Sequence, residues 1–330
     1  MEQQVKNEIQ YDADAVEVDH VMLRERLGAH LYRQRINTQS YHAAQVFGQG
    51  LTAFHPENMR WLRVLIEWGM RGTCLYGWGN RNARKHRVIE HPVQLRRLPE
   101  AFQGFRMLHL SDLHLDLDEA INASWLSRVG ELEFDICVIT GDFRAETAGD
   151  RMPAMRALAS VVPRLGDRIY ACLGNHDDIE MTSYLEAFGV RVLLNEHAVI
   201  EQNGEAIFLA GIDDPHFYET ENLERAVSGI PAEATKVLLS HSAEPYRKAL
   251  ACGVDLMLSG HTHGGQLCLP GGIAVMRNVR HPRSMSKGAW AYHELRGYTS
   301  TGAGCSMVPV RMFCTPELTV HVLERGEAEL

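Results

Sequence analysis

From about residue 98 onward, short β-branched runs alternate with runs of helical period, and that alternation restricts the chain to folds built from βαβ units. Strands are expected over residues 105–110, 134–140, 169–173, 190–194, 206–210, 236–240 and 255–258. Helices are expected near 118–131, 152–164, 180–188, 221–228 and 243–251. Asn203-Gly204, set between two apolar runs, reads as a hairpin turn. After Gly271 short strands return and end in LTVHVLER, which suggests a second, mixed sheet. Before Leu98-Pro99 the segments look helical and rich in arginine. The chain thus divides into a helical N-terminal extension, residues 1–97, and a main domain, residues 98–330.

Five of the expected strands run straight into polar clusters. They end in Ser111-Asp112-Leu113-His114, in Gly141-Asp142, in Gly174-Asn175-His176-Asp177, in His241, and in Ser259-Gly260-His261-Thr262-His263-Gly264-Gly265-Gln266. In α/β sheets, ligands collect at the carboxyl ends of strands, so five such ends point at one site. Asp112-x-His114 and His261-x-His263 each space two donors two residues apart. In an extended segment such a pair projects to one side.

Singly, each piece has an ordinary structural reading. Asp112 can be a cap beside a satisfied histidine, Gly141-Asp142 a common turn, and Asn175 a left-handed turn residue. A histidine pair beside two glycines has less structural reason to exist, and the five clusters together point to metal. Leaving His176 and Asp177 aside, they offer two Asp, one Asn and four His, too many for one tetrahedral zinc. The set suits two divalent ions bridged by a carboxylate, an arrangement that activates water and clamps a phosphoryl group.

Composition narrows the setting. With 45% hydrophobic and 23% charged residues, the chain matches a packed soluble protein. A formal net charge of −9 argues against coating nucleic acid by phosphate neutralisation. The seven cysteines form no C-x-x-C pair, which fits a reducing cytoplasm. The polar, acidic N-terminus lacks a secretory pattern, and the apolar stretch 61–70 is interrupted by Arg63 and Glu67, so no membrane span is expected.

SDLHL, TGD, GNHD, the histidine of LLSH and SGHTHGGQ together resemble the calcineurin-like metallophosphoesterase family. Within it the chain looks most like the bacterial GHTHGGQ branch, soluble or membrane-tethered phosphodiesterases acting on phosphate esters or lipid-linked pyrophosphates. The likeness runs from about Leu98 to the C-terminus. It includes LAGIDD, with Asp213 and Asp214, and the closing GYTSTGAG, PVR and PEL segments. The first hundred residues match no family motif.

The resemblance implies a four-layer α/β/β/α sandwich of two mixed sheets. It implies two divalent ions, drawn from Mn, Fe, Zn or Co with Mn preferred. Asp112, His114 and His263 would ligate one ion, Asn175, His241 and His261 the other, and Asp142 would bridge them. A hydroxide held between the ions would attack phosphorus in line, with His176 over the leaving oxygen and Asp177 orienting His176.

Departures narrow the substrate to phosphodiester or pyrophosphate bonds in a small-molecule or lipid-linked phosphate ester. GDFRAE and LGNHD stand where protein phosphatases of the superfamily carry GD-x-x-DRG and RGNHE. His176 stands where the soluble UDP-diacylglucosamine hydrolases usually carry arginine, although the GHTHGGQ branch includes members that do the same job. A cyclic-nucleotide phosphodiesterase and a catalytically silent binding module on the same fold are the alternatives.

Residues 57–87 place Trp61, Leu65 and Trp68 on one helical face, with Trp78 beyond, among Arg60, Arg63, Arg71, Arg81, Arg84, Lys85 and Arg87. The ordinary reading buries that face on the main domain. The alternatives are contact with the inner membrane surface, aromatics at headgroup level with arginines around them, and a cap over the site.

Overall fold

The structure, a computed structural model, describes residues 11–46, 60–73, 75–274 and 279–326. The strands are β1 Arg87–Leu95, β2 Arg106–Leu110, β3 Ile136–Thr140, β4 Ile169–Cys172, β5 Val190–Val192, β6 Glu196–Gln202, β7 Glu205–Gly211, β8 Lys236–Leu239, β9 Leu256–Ser259, β10 Cys268–Leu269, β11 Ile273–Ala274, β12 Gly288–Tyr292, β13 Leu295–Thr299 and β14 Glu317–Arg325. The helices are α1 His20–Leu27, α2 Ala29–Val46, α3 Arg60–Gly72, α4 Leu75–Ala83, α5 Glu119–Val129, α6 Met152–Val161, α7 Met181–Ala187, α8 Leu223–Ala226 and α9 Tyr246–Ala251.

Among the described residues the strands form two six-stranded mixed sheets and the small β10–β11 ribbon. The first sheet runs β1-β14-β2-β3-β4-β5, and the second β12-β13-β9-β8-β7-β6. In each, a run of parallel strands is flanked by antiparallel ones, as in β14 on β2 and β6 on β7. The hairpin turn falls at Asn203-Gly204, both at positive φ (50° and 83°), the backbone a two-residue turn of this hand requires.

Strand alternation explains the layering. On β3, Ile136 and Val138 face the second sheet, while Cys137 and Ile139 face helices. On β9, Leu256 and Leu258 face the first sheet, while Met257 faces α9. With period two and apolar residues on both faces, each central strand is buried on both sides. One core therefore lies between the sheets, a second under α5, α6 and α7, and a third under α8 and α9. This is the expected four-layer α/β/β/α sandwich.

Three local expectations are corrected. LTVHVLER does not join the second sheet: as β14 it enters the first, between β1 and β2. A strand not expected at all, β1, pairs with it in parallel from Arg87 to Leu95. Pro92 hides it from a propensity reading, but at a sheet edge a residue without an N–H is tolerated.

The third correction concerns α3, which docks by Ile66 and Met70 against Val308 and Val310. Leu65 and Trp68 face outward, 60% and 72% exposed, so the face expected to be buried is not. Residues 57–59 and the side chains of 60–63, including Trp61, lie outside the described residues. α4 follows on the same flank, and Trp78 packs edge-to-face on Phe313. No helix among the described residues is long and apolar enough to cross a membrane.

Candidate metal centre

Register sets the polar clusters side by side. Leu110 pairs with Ile139, and Thr140 with Cys172, so the segments after β2, β3 and β4 leave the first sheet together. In the second sheet, Leu239 pairs with Leu258, bringing His241 beside His261. The two groups meet across the sandwich. His241 Nδ1 donates to the Thr140 carbonyl (2.7 Å), and the Asp112 carboxylate accepts from the His261 N–H (3.0 Å).

The donors are not on extended segments, as the two-residue spacing suggested. Asp112, His114, Asp142, His261 and His263 all lie at positive φ, between 42° and 69°. A non-glycine residue there costs about 1–3 kcal/mol, and such strain collects where function demands a particular side-chain direction. β2, β3 and β9 thus each end in a tight left-handed bend that turns its donors inward, whereas Asn175 and His241 reach the site without one. Close backbone approach completes the bend: a methyl on Gly174 would overlap the Asp142 carboxylate, and one on Gly260 would overlap Ser111 Oγ and Asp112 Oδ2.

Two donor sets result, and they share one carboxylate. Asp112, His114, Asp142 and His263 bring one ligand atom each within 4.8 Å of one another, as do Asp142, His241 and His261. Asn175 Oδ1 joins the second set at 2.9 Å from His241 Nε2. Asp142 Oδ2 stands between them, 3.3 Å from His241 Nε2 and 3.8 Å from His114 Nε2. All seven residues named from the sequence thus converge.

Hydrogen bonds fix which ring nitrogens face inward. The carbonyls of Arg144 and Thr140 take the Nδ1–H of His114 and His241, both at 2.7 Å, which turns each Nε2 toward Asp142. Burial alone would raise the Asp142 carboxyl, but His241, His176 and His114 hold it well below the usual carboxylate range. Burial would likewise lower His241, yet Asp142 and Asp112 raise it to about 10. Asp112 is pushed up to about 6 by burial and by Asp142, and burial drives His114 down to about 3. Imidazoles, an amide oxygen and carboxylates gathered at one buried locus are the donor chemistry of Mn, Fe, Zn or Co ions, and the residues fit such ions, whose binding would displace the Nε2 proton of His241.

His176 reaches the same locus, its Nε2 3.9 Å from Asp142 Oδ2 and its Nδ1 held by the Ala145 carbonyl (2.7 Å). Asp177 does not contact that ring nitrogen. Its carboxylate instead accepts the N–H groups of Asp142, Phe143 and Gly174, each at 2.8 Å, and ties two strand-end loops together. The orienting contact expected of Asp177 is made by Ala145.

Sequence reasoning missed several neighbours. Arg144 holds the His176 carbonyl (2.5 Å), and buried Arg311 donates to the His263 carbonyl (3.3 Å). His216 packs at a tilt on His261 with ring centroids 4.2 Å apart, its Nδ1 on Glu244 (3.0 Å). One signal was present: β7 also runs into a polar cluster, Asp213-Asp214-Pro215-His216, whose Asp214 caps the N–H groups of His216, Phe217 and Tyr218.

Comparison with known proteins agrees with this site. Residues 105–265 match the family described as calcineurin-like phosphoesterase. That match spans 161 residues, just under half of the chain. It is 31% identical over 273 residues to the zebrafish (Danio rerio) "Transmembrane protein with metallophosphoesterase domain", covering 77% of this chain but only 60% of that one. It is 29% identical to the uncharacterized metallophosphoesterase YkoQ of Bacillus subtilis, over 73% of this chain and 92% of that one. To the phosphodiesterase YaeI of Escherichia coli it is 27% identical, over 66% and 81%.

Proposed function

We propose that this protein hydrolyses phosphodiester or pyrophosphate bonds in a small-molecule or lipid-linked phosphate ester, using two divalent ions. Asp112, His114 and His263 would hold one ion and Asn175, His241 and His261 the other, with Asp142 shared. The single observation that carries this reading is the Asp142 carboxylate standing between two separate donor sets. When bound, such a pair of ions supplies Lewis acidity that activates water near neutral pH and neutralises phosphoryl oxygens.

The chain's own groups do the rest. Carbonyl-held His114 and His241 present Nε2 without reorientation, and Asp177 fixes the spacing of the Asp142 and Asn175 loops. His176, with Nδ1–H committed to Ala145, keeps Nε2 for the leaving-group oxygen, as proton donor or as electrostatic stabiliser. Residues 98–330 supply the catalytic groups in this reading and 1–97 form a non-catalytic extension, whose last strand, β1, completes the first sheet. We place the protein in the GHTHGGQ branch and in the cytoplasm, with manganese the preferred ion.

The name of the YaeI relative favours diesters. A hydrolysis panel of phosphomonoesters, diesters, cyclic nucleotides and nucleotide-diphospho-lipids, each with Mn, Fe, Zn and Co, tests the assignment. Turnover of a diester or pyrophosphate above the monoester is expected. Preference for a cyclic nucleotide or a UDP-diacylglucosamine-type pyrophosphate would select that alternative, and no turnover with any ion would leave a binding module.

A second reading concerns location. Leu65 and Trp68 stand outside the core, although burying a side chain of this size is worth roughly 1.5–3 kcal/mol. Together with the basic residues of 57–87, they support peripheral contact with an anionic membrane surface.

A further inference from the structure

The loop that carries His176 is held through its backbone by two buried guanidinium groups, and they come from different parts of the chain. Arg144 Nε donates to the His176 carbonyl (2.5 Å), and its Nη1 pairs with Asp178 (3.1 Å). One residue further on, Arg35 Nη2 donates to the Asp177 carbonyl (2.9 Å), while its Nε faces Asp213 Oδ2 at 3.5 Å. Arg35 is fully buried, with its guanidinium over the ring of Tyr218. Successive carbonyls of His176 and Asp177 are thus each gripped by an arginine; Arg144 pairs with Asp178, which it shares with Arg151 (2.9 Å), and Arg35 faces Asp213. One turn along α2, Gln39 continues the contact: its Oε1 accepts the Ile179 N–H (3.0 Å), and its Nε2 donates to Glu180 (2.7 Å).

We infer that Arg35, seconded by Gln39, is a positioning residue for His176. A buried guanidinium is costly unless its charge and N–H groups find partners; here Asp213 offsets the charge while Nε and Nη1 make no hydrogen bond, so the Asp177 carbonyl is the guanidinium's hydrogen-bonded anchor and the two are held to each other. Arg35 lies far outside the segment that matches the family, so α2 contributes to a site whose chemical groups all come from elsewhere. The inference rests on the reading that His176 acts at the leaving oxygen. A misplacement of about 1 Å in such a group can cost 10²-fold in rate.

The test is the leaving-group dependence of kcat for a series of aryl phosphodiesters, from nitrophenyl to unsubstituted phenyl, on the full chain loaded with Mn. His176→Ala should lose about 10²–10⁴-fold on the phenyl ester and much less on the nitrophenyl ester. Arg35→Met should move in the same direction, losing about 10-fold or more on the phenyl ester, with bound Mn and KM unchanged. Arg35→Lys should recover part of the loss, and the double variant should be no worse than His176→Ala. Equal losses on both esters in Arg35→Met, or no loss, overturn the inference while leaving the role of His176 intact. Unaltered leaving-group dependence in His176→Ala overturns that role and the inference with it. Should Arg35→Met not accumulate as folded protein, Gln39→Ala carries the test at a half-buried position. A smaller selective loss is expected there, and unchanged selectivity overturns the inference.

Discussion

At Asp142 a fully buried carboxylate stays ionised because three histidines surround it, and His241 is raised to about 10 in return. Removing one partner from such a cluster leaves the others uncompensated, which is why residues here are not interchangeable. His176 is the informative exception, since it approaches Asp142 yet belongs to neither donor set. His176→Ala is therefore expected to retain its metal by elemental analysis while losing about 10²–10⁴-fold in kcat. Retained turnover would remove it from the chemistry. Gly174→Ala should fail the other way. Its added methyl would collide with the Asp142 carboxylate, so metal content and activity should fall together, and full metal occupancy would contradict the packing argument.

Among elements, the strand ends explain why so much of the site was legible. Each donor follows a short, largely apolar strand run by a few residues, so local spacing was enough to collect all seven. The bend that aims them was not legible, because a positive φ at Asp112 or His261 has no compositional mark once the residue is not glycine. The supporting arginines were hidden for a different reason. Arg35, Arg144 and Arg311 look like surface residues until tertiary contacts bury them. Between the sheets, a buried chain of histidines was likewise invisible. It links His91 to His321 (3.1 Å), His321 to His109 (3.2 Å) and His109 to Thr140 (2.9 Å).

Burial pushes His109 down to about 3 and His321 well below the ordinary histidine value, so the folded state keeps both neutral. Below about pH 6.5 the unfolded chain binds protons that the folded chain refuses, so stability falls as pH drops. For His109 alone, the loss between pH 6.5 and pH 5 is about 2 kcal/mol. Urea midpoints of metal-stripped protein across that range should show this slope. In His321→Leu the slope should shrink by about one proton, and an unchanged slope would contradict the neutral-histidine account.

At the scale of the whole molecule, the first hundred residues carry 14 basic and 11 acidic side chains, so the acidic excess belongs to the remainder. Their segments do two kinds of work. α1 and α2 are bonded into the first sheet's helical face, while α3 turns Leu65 and Trp68 to solvent beside the loop that carries Arg311. Sedimentation with anionic vesicles should be salt-sensitive and should weaken on Trp68→Glu, and no binding at low salt would end the interfacial reading. The central claim is a pair of ions bridged by Asp142, and elemental analysis of purified protein after Mn addition tests it most directly. About two ions per chain are expected. In Asp142→Asn both should be lost, along with at least about 10²-fold in kcat. Fewer than about one ion in the wild type with no phosphodiester hydrolysis, or a fully loaded and fully active Asp142→Asn, would contradict it.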